Sequence, residues 1–370
     1  MSDPPPLGER HGTDHGTGKR RQRRAPPDGL YAALDLGTNN CRLLIAQRRA
    51  GGGFRVVDAY SRIVRLGEGL SQTGRLSPAA MDRAMAALRV CSERIRRHGR
   101  PRLRAIATEA CRSASNGKDF LEQVRREAGI RLEIITPKEE ARLSVAGCAN
   151  LLDRSARAAL VLDVGGGSTE LSWLDLEAAR ARPNAPPPIL AWLSIPIGVV
   201  TLAERFPEAR ADPAWFSRMV EAVKAPIAAF ARPAALRPAF EAGEAHLIGT
   251  SGAITSLAGL HLGLARYERS RVDGLWLTRG DCRAMAERLL GLSHDERARQ
   301  PCVGPERADL VLAGAAILEA TQQLWPCERV RVADRGLREG LLLAMMAERG
   351  RPRRWRRRRK PVRDAAKAAA

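Results

Sequence analysis

Apolar residues follow two rhythms along this chain, and the switches between them mark out its elements. YAALDLG (residues 31–37) and CRLLIAQ (41–47) are short apolar runs on either side of a polar turn. FRVVDAYSRIVRLG continues with strand-like periods, so a β-meander is predicted to open a domain. From Ser77 the spacing becomes helical. SPAAMDRAMAALRVCSERIRRHG begins with Ser-Pro and has Gly99 just past its end, which predicts a capped amphipathic helix. LRAIATEA reads as strand into loop, KDFLEQVRREAGI as helix, LEIITP as strand and KEEARLSVAGCANLL as helix.

The opening pattern then recurs. ALVLDVGGGSTELSWLDL (159–176) is again an apolar strand, an Asp-x-Gly turn and an apolar strand. A β-turn-β unit repeated at domain-length spacing predicts two copies of one α/β domain facing each other. Later segments fit the second copy. DPAWFSRMVEAVKAPIAAFA, TRGDCRAMAERLLGL and ADLVLAGAAILEATQQL are helical. AHLIGTSGAITSLAGL is strand, glycine turn and helix, and ERVRVADRGLREGLLLAMMAE is strand, turn and final helix. The expected division is a disordered tail at 1–28, lobe I at 29–137 completed by a C-terminal helix at 334–348, lobe II at 138–333, and a basic disordered tail at 349–370.

Charge changes this picture little. The 370 residues carry a formal charge of +21. Much of it sits in the Arg-rich ends, and RPRRWRRRRK near the C-terminus is the densest run. Such a run either binds nucleic-acid phosphates or is a solvated tail that attracts polyanions weakly. The remaining excess of basic residues suits an anionic substrate. The seven cysteines are scattered and odd in number, which predicts reduced thiols in a cytoplasmic protein. No run approaches a membrane span, and the N-terminus lacks an apolar signal core.

The candidate chemistry lies in the turns. In Asp163-Val-Gly-Gly-Gly-Ser-Thr-Glu170, an aspartate ends a buried strand and would project into the cleft. The three glycines let backbone amides approach a phosphate, Ser168 and Thr169 add hydroxyls, and the carboxylate can hold Mg²⁺ directly or through water. An ordinary flexible hairpin is the alternative, and the flanking Asp, Ser, Thr and Glu weigh against it. Asp35-Leu-Gly-Thr-Asn-Asn40 is the weaker partner. Asp35 would share the metal through water, with Gly37, Thr38 and Asn39 near the terminal phosphate. Arg112 follows a strand and would clamp a phosphoryl oxygen, although a surface position is the default in so Arg-rich a chain. Thr136-Pro-Lys-Glu-Glu140 starts a helix with good capping chemistry, and Glu140 would serve as a general base at the mouth of the cleft. The turn at Gly249–Thr255 is open between anion binding and close packing of a helix on the sheet, and the turn at Asp334–Gly340 is read as a salt-bridged helix start rather than a cleft-side turn.

Taken together, LDLGTNNCRLLIA, ATEACRSASN, ITPKEEARLS, VLDVGGGSTELS, IGTSGAITSLAGL and VADRGLREGLL resemble the exopolyphosphatase/guanosine pentaphosphate phosphohydrolase (Ppx/GppA) family of the actin-like superfamily, in the family's order. The resemblance implies two ribonuclease H-like lobes with a cleft between them. It implies Glu140 as catalytic base and Arg112 as phosphate clamp. Asp163 would be the metal-linked aspartate with Asp35 and Glu170 nearby, and Gly165, Gly166, Gly167 and Ser168 the phosphate-binding backbone. It further implies Mg²⁺, a polyphosphate or guanosine pentaphosphate substrate and, by analogy alone, a homodimer. Two positions depart from the family: Asn40 stands where serine is common, and Thr201 where many relatives have arginine. Two rival readings stay open: a phosphotransferase of the same superfamily, and a non-catalytic RNA- or ribosome-associated adaptor using the basic tail.

Overall fold

The computed structural model describes residues 29–50, 52–181, 187–209 and 212–349. The tail expectations at 1–28 and beyond Arg349 lie outside these residues. The first sheet comprises β1 (Leu30–Leu36), β2 (Asn40–Arg48), β3 (Phe54–Ile63), β4 (Arg102–Ala107) and β5 (Leu132–Ile134), in the order β3-β2-β1-β4-β5. The second comprises β6 (Ala158–Val164), β7 (Thr169–Asp175), β8 (Ile189–Ile195), β9 (Ala245–Thr250), β10 (Trp276–Thr278) and β11 (Arg329–Ala333), in the order β10-β11-β9-β6-β7-β8.

Each sheet starts with a three-stranded antiparallel meander and continues with two parallel strands beside its first strand. The order is the same in both, and the second adds β10 as an antiparallel edge. These are the two copies of one α/β lobe expected from the duplicated opening, with the ribonuclease H-like architecture that the family resemblance implies. The Ser77 hydroxyl accepts from the Ala80 amide and starts the Pro78–Arg97 helix, as its Ser-Pro opening predicts. β8 and the Val199–Arg205 helix after it are elements that the patterning left unread. β8 is an edge strand, mostly half-buried, so its apolar residues do not alternate cleanly.

The central strands are buried on both faces, and this places the aspartates. In β1, Ala32, Leu34 and Leu36 face one core, while Tyr31 and Ala33 face another. In β6, Ala158, Leu160, Leu162 and Val164 face one core, while Ala159 and Val161 face the other. Alternation therefore puts Asp35 and Asp163 on the second face of each sheet. The Pro137–Cys148 helix covers both of those faces: its Leu143 joins the core of Tyr31 and Ala33, and its Val145 and Cys148 join that of Ala159 and Val161. The Leu337–Arg349 helix completes the first of these cores with Leu341, Leu342, Met345 and Met346. No helix among the described residues is long and apolar enough to cross a membrane, and all seven cysteines are free and buried.

Candidate active site

Both Asp-x-Gly turns close with the same hydrogen bond. The Gly37 amide donates to the Asn40 carbonyl at 2.8 Å, and the Gly165 amide donates to the Ser168 carbonyl at 2.9 Å. The turns meet across the cleft. A Cβ on Gly167 would lie 2.7 Å from Thr38 Oγ1, and one on Gly166 would lie 3.0 Å from the Asn39 amide nitrogen. Only glycine permits that approach.

Carbonyls in both turns are tied down from outside. Thr38 O accepts from Gly67 N at 2.9 Å, and Asn39 O accepts from Val64 N at 2.8 Å. Gly165 O and Gly166 O accept from Val199 N at 3.0 Å and Val200 N at 2.9 Å, at the start of the Val199–Arg205 helix. The amides of Thr38, Asn39, Gly166, Gly167 and Ser168 donate to no other described residue. Unspent donors on two abutting turns are the backbone chemistry an oxyanion needs.

Four carboxylates converge on this cradle: Asp35, Glu140, Asp163 and Glu170 line a cleft of about 440 Å³. Asp163 Oδ2 accepts from the Ser144 hydroxyl at 2.5 Å. Glu170 Oε1 accepts from the Ser194 hydroxyl at 2.8 Å. Asp35 Oδ1 and Asn39 Oδ1 are buried without a hydrogen-bond partner among the described residues. Burial raises all four carboxyl pKa values. Asp35 rises to about 6, with Arg42 and Arg338 opposing. Glu170 rises to about 8, with the Asp163 charge adding to burial. Asp163 is raised by burial against its Ser144 hydrogen bond. Glu140 is raised well above the ordinary range by burial and by Glu170, and Arg112 opposes. Buried acids that repel one another are a standing demand for positive charge.

Arg112 meets that demand for Glu140 from behind. Its Nη1 donates to Glu140 Oε2 at 3.3 Å and to the Ile135 carbonyl at 2.8 Å, and its Nη2 donates to Glu109 Oε2 at 2.5 Å. Arg112 is absent from the cleft lining, whereas Glu109 and Glu140 are part of it. The expected phosphate clamp therefore stands as a holder of two carboxylates, because its donors are engaged there. Glu140 is also deeper than expected: it is 7% exposed, not at the cleft mouth. The other expected residues, Gly37, Thr38, Asn39, Gly165, Gly166, Gly167 and Ser168, all line the cleft. So do Thr250–Gly252, which puts the open turn on the cleft side, and Asp334–Gly336, which corrects the purely structural reading of that turn.

Sequence reasoning missed three cations. Arg42, Arg307 and Arg338 line the cleft, and none makes a side-chain hydrogen bond or ion pair with another described residue. Arg42 was findable: strand register sets it opposite Asp35, just as Glu170 lies opposite Asp163. Thr201 does no work in the cleft wall. Its hydroxyl accepts from Gly198 N at 2.9 Å and caps the helix that holds the glycine turn. Outside the cleft lining, Arg65 Nη1 pairs with Asp309 Oδ2 at 3.0 Å, and Glu204 accepts from Gly69 N at 2.9 Å and Ser71 Oγ at 2.7 Å. These contacts join the loop after β3 to the second lobe.

Residues 44–349 match the model of the Ppx/GppA phosphatase family. The chain belongs to that family. Among Ppx/GppA relatives, Exopolyphosphatase 2 of Mycobacterium tuberculosis is 30% identical over 326 residues, covering 85% of this chain and 98% of that protein. The guanosine-5'-triphosphate,3'-diphosphate pyrophosphatase of Aeromonas salmonicida is 30% identical over 317 residues, 86% of this chain but 59% of that protein. The crystal structure of the Aquifex aeolicus Ppx/GppA family member superimposes with a TM-score of 0.71 at 29% identity, covering 88% of this chain and 99% of that one.

Proposed function

We propose that this protein releases terminal orthophosphate from inorganic polyphosphate, guanosine pentaphosphate or both, with Glu140 as general base. The observation that carries the reading is a buried carboxylate, held by Arg112, that lines the same cleft as two turns whose amides are unspent. A chain ending in a phosphoanhydride would place its terminal phosphoryl oxygens on the amides of Thr38, Asn39, Gly166, Gly167 and Ser168. Those donors neutralise charge that grows in the transition state. Arg42, Arg307 and Arg338 supply positive charge along the cleft for the rest of the polyanion.

Water attacks the terminal phosphorus, its proton passes to a Glu140 carboxylate oxygen, and the bond to the bridging oxygen breaks. The bridging oxygen leaves with the shortened chain. The environment that raises the Glu140 pKa makes its ionised form a stronger base, and Arg112 helps keep that form populated.

Asp35 and Asp163 fit magnesium. Their oxygens are hard donors, and the buried Oδ1 of Asp35 has no hydrogen-bond partner among the described residues. Among the described residues no group of three or more acidic, His or Cys side chains forms a cage. The donor set therefore suits an ion that keeps most of its waters and takes one or two carboxylates, with Glu170 behind Asp163. When bound, the ion supplies charge neutralisation to the phosphoryl oxygens.

Support for the substrate class comes from the relatives named as an exopolyphosphatase and a guanosine-5'-triphosphate,3'-diphosphate pyrophosphatase. The test is phosphate release from polyphosphate, guanosine pentaphosphate and ATP in parallel, with and without Mg²⁺. Mg²⁺-dependent release from either of the first two is expected. Release from none would overturn the reading.

A further inference from the structure

One hydroxyl links the base-bearing helix to the aspartate across the cleft floor. Ser144 lies one turn beyond Glu140 on the Pro137–Cys148 helix, so the two side chains share a face. It is 1% exposed. Its Oγ donates to Asp163 Oδ2 at 2.5 Å. A serine hydroxyl has one proton, so this bond spends all of its donor capacity. The other Asp163 oxygen makes no hydrogen bond with a described residue.

The Gly336 turn packs closely on Ser144. A Cβ on Gly336 would lie 3.3 Å from Ser144 Oγ and 3.3 Å from Thr250 Oγ1. The Gly336 turn is fixed in turn, since its amide donates to Glu339 Oε2 at 3.0 Å. Gly147 and Gly340 also bring this helix into backbone contact with the Gly336 turn and the C-terminal helix, at Gly336 O and Leu143 O. Ser144 therefore sits on a helix whose position is set by three glycine contacts and whose hydroxyl reaches β6.

We propose that Ser144 is a positioning residue that fixes Asp163 with one carboxylate oxygen left for a divalent cation, and that sets the spacing between Asp163 and Glu140. This inference rests on the reading of Asp163 as a cation-holding carboxylate. A hydrogen bond from behind orients a ligating carboxylate, and loss of such a bond costs about 10–100-fold in metal affinity or activity.

The test titrates the intact protein with Mn²⁺ in the presence of inorganic phosphate and reads free Mn²⁺ by electron paramagnetic resonance. Ser144→Ala is expected to weaken Mn²⁺ binding by about tenfold or more, and Ser144→Thr, which keeps the hydroxyl, to restore most of it. Ser144→Cys covers the case in which the alanine variant folds poorly. It preserves the side-chain shape with a weak donor and is expected to fall between the two. In steady-state assays the half-saturating metal concentration should rise more than the substrate KM. Wild-type Mn²⁺ affinity in both the alanine and cysteine variants would overturn the role of Ser144. Absence of Mn²⁺ binding in the unaltered protein would instead overturn the cation reading of Asp163, and the inference with it.

Discussion

Replacing Glu140 by glutamine keeps the side-chain shape and removes one proton-accepting charge, so it separates chemistry from folding. Glu140 is 7% exposed, and burial together with Glu170, Asp163 and Asp35 opposes its ionised form. The amide form relieves that repulsion. What it loses is the charge assistance of one Arg112 hydrogen bond, which at 3.3 Å is longer than the strongest of its kind. The amide oxygen still accepts, and Arg112 keeps Glu109 and the Ile135 carbonyl. These opposing terms are each about 1 kcal/mol, so the melting temperature should move by a few degrees at most.

Activity should respond very differently. A general base contributes about 10²–10⁴-fold, or roughly 3–5 kcal/mol of barrier. The assay is steady-state phosphate release at saturating polyphosphate and Mg²⁺, paired with a thermal melt by circular dichroism. Glu109→Gln is the control: Glu109 also lines the cleft, but its carboxylate is engaged by Arg112 and Ser113. If Glu140→Gln keeps kcat within a factor of ten, or Glu109→Gln loses more than it does, the base lies elsewhere.

Two further outcomes follow from the same geometry. A Cβ on Gly198 would overlap the Gly166 carbonyl. Gly198→Ala should therefore cost about 2–3 kcal/mol in denaturant melts and disturb phosphate release with it, and a silent variant would show that the turn is free to move. The metal-free protein should lose stability as pH rises from about 4 to 8, because the folded state keeps protons on Asp35, pKa about 6, and Glu170, pKa about 8, that the unfolded chain releases. Asp35 alone accounts for about 3 kcal/mol across that window. Mg²⁺ should raise the melting temperature more at pH 8 than at pH 5, and equal shifts would remove these carboxylates from the cation site.

The parts of this molecule that were legible in sequence are those set by local physics. Ser77 and Thr136 cap the helices that follow them, as Ser-Pro and Thr-Pro predict. The two Asp-x-Gly turns stood out because strand, turn and strand are contiguous. The relations that need two distant segments were hidden. Arg112 meets Glu140 28 positions away, and nothing in the local sequence separates it from the many other arginines. The glycines after Asp163 were read as a phosphate cradle, yet Gly166 and Gly167 are equally required by the approach of Thr38 and Asn39. Ser144 reads as an ordinary helix residue until β6 is placed against it.

The internal duplication shows why the two turns are not equivalent. Register sets Arg42 opposite Asp35 and Glu170 opposite Asp163. Arg42 lowers the carboxyl pKa of Asp35, and of Asp163 across the cleft, whereas the Asp163 charge raises Glu170. The first hairpin thus carries its own counter-charge, with the Arg338 guanidinium also beside Asp35. The second hairpin concentrates negative charge, and its two acids are met by hydroxyls: Ser144 on Asp163, and Ser194 and Ser168 on Glu170. Lobe I sets the Arg42 and Arg338 guanidinium groups around the Asp35 carboxylate, and lobe II adds Arg307 to the two acids Asp163 and Glu170, so the cleft presents both signs of charge. A bound polyphosphate end with its divalent cation carries both signs of charge, so a single substrate–metal unit satisfies both lobes at once. Neither a bare anion nor a bare cation does so, which is the electrostatic reason to expect substrate and metal to bind cooperatively.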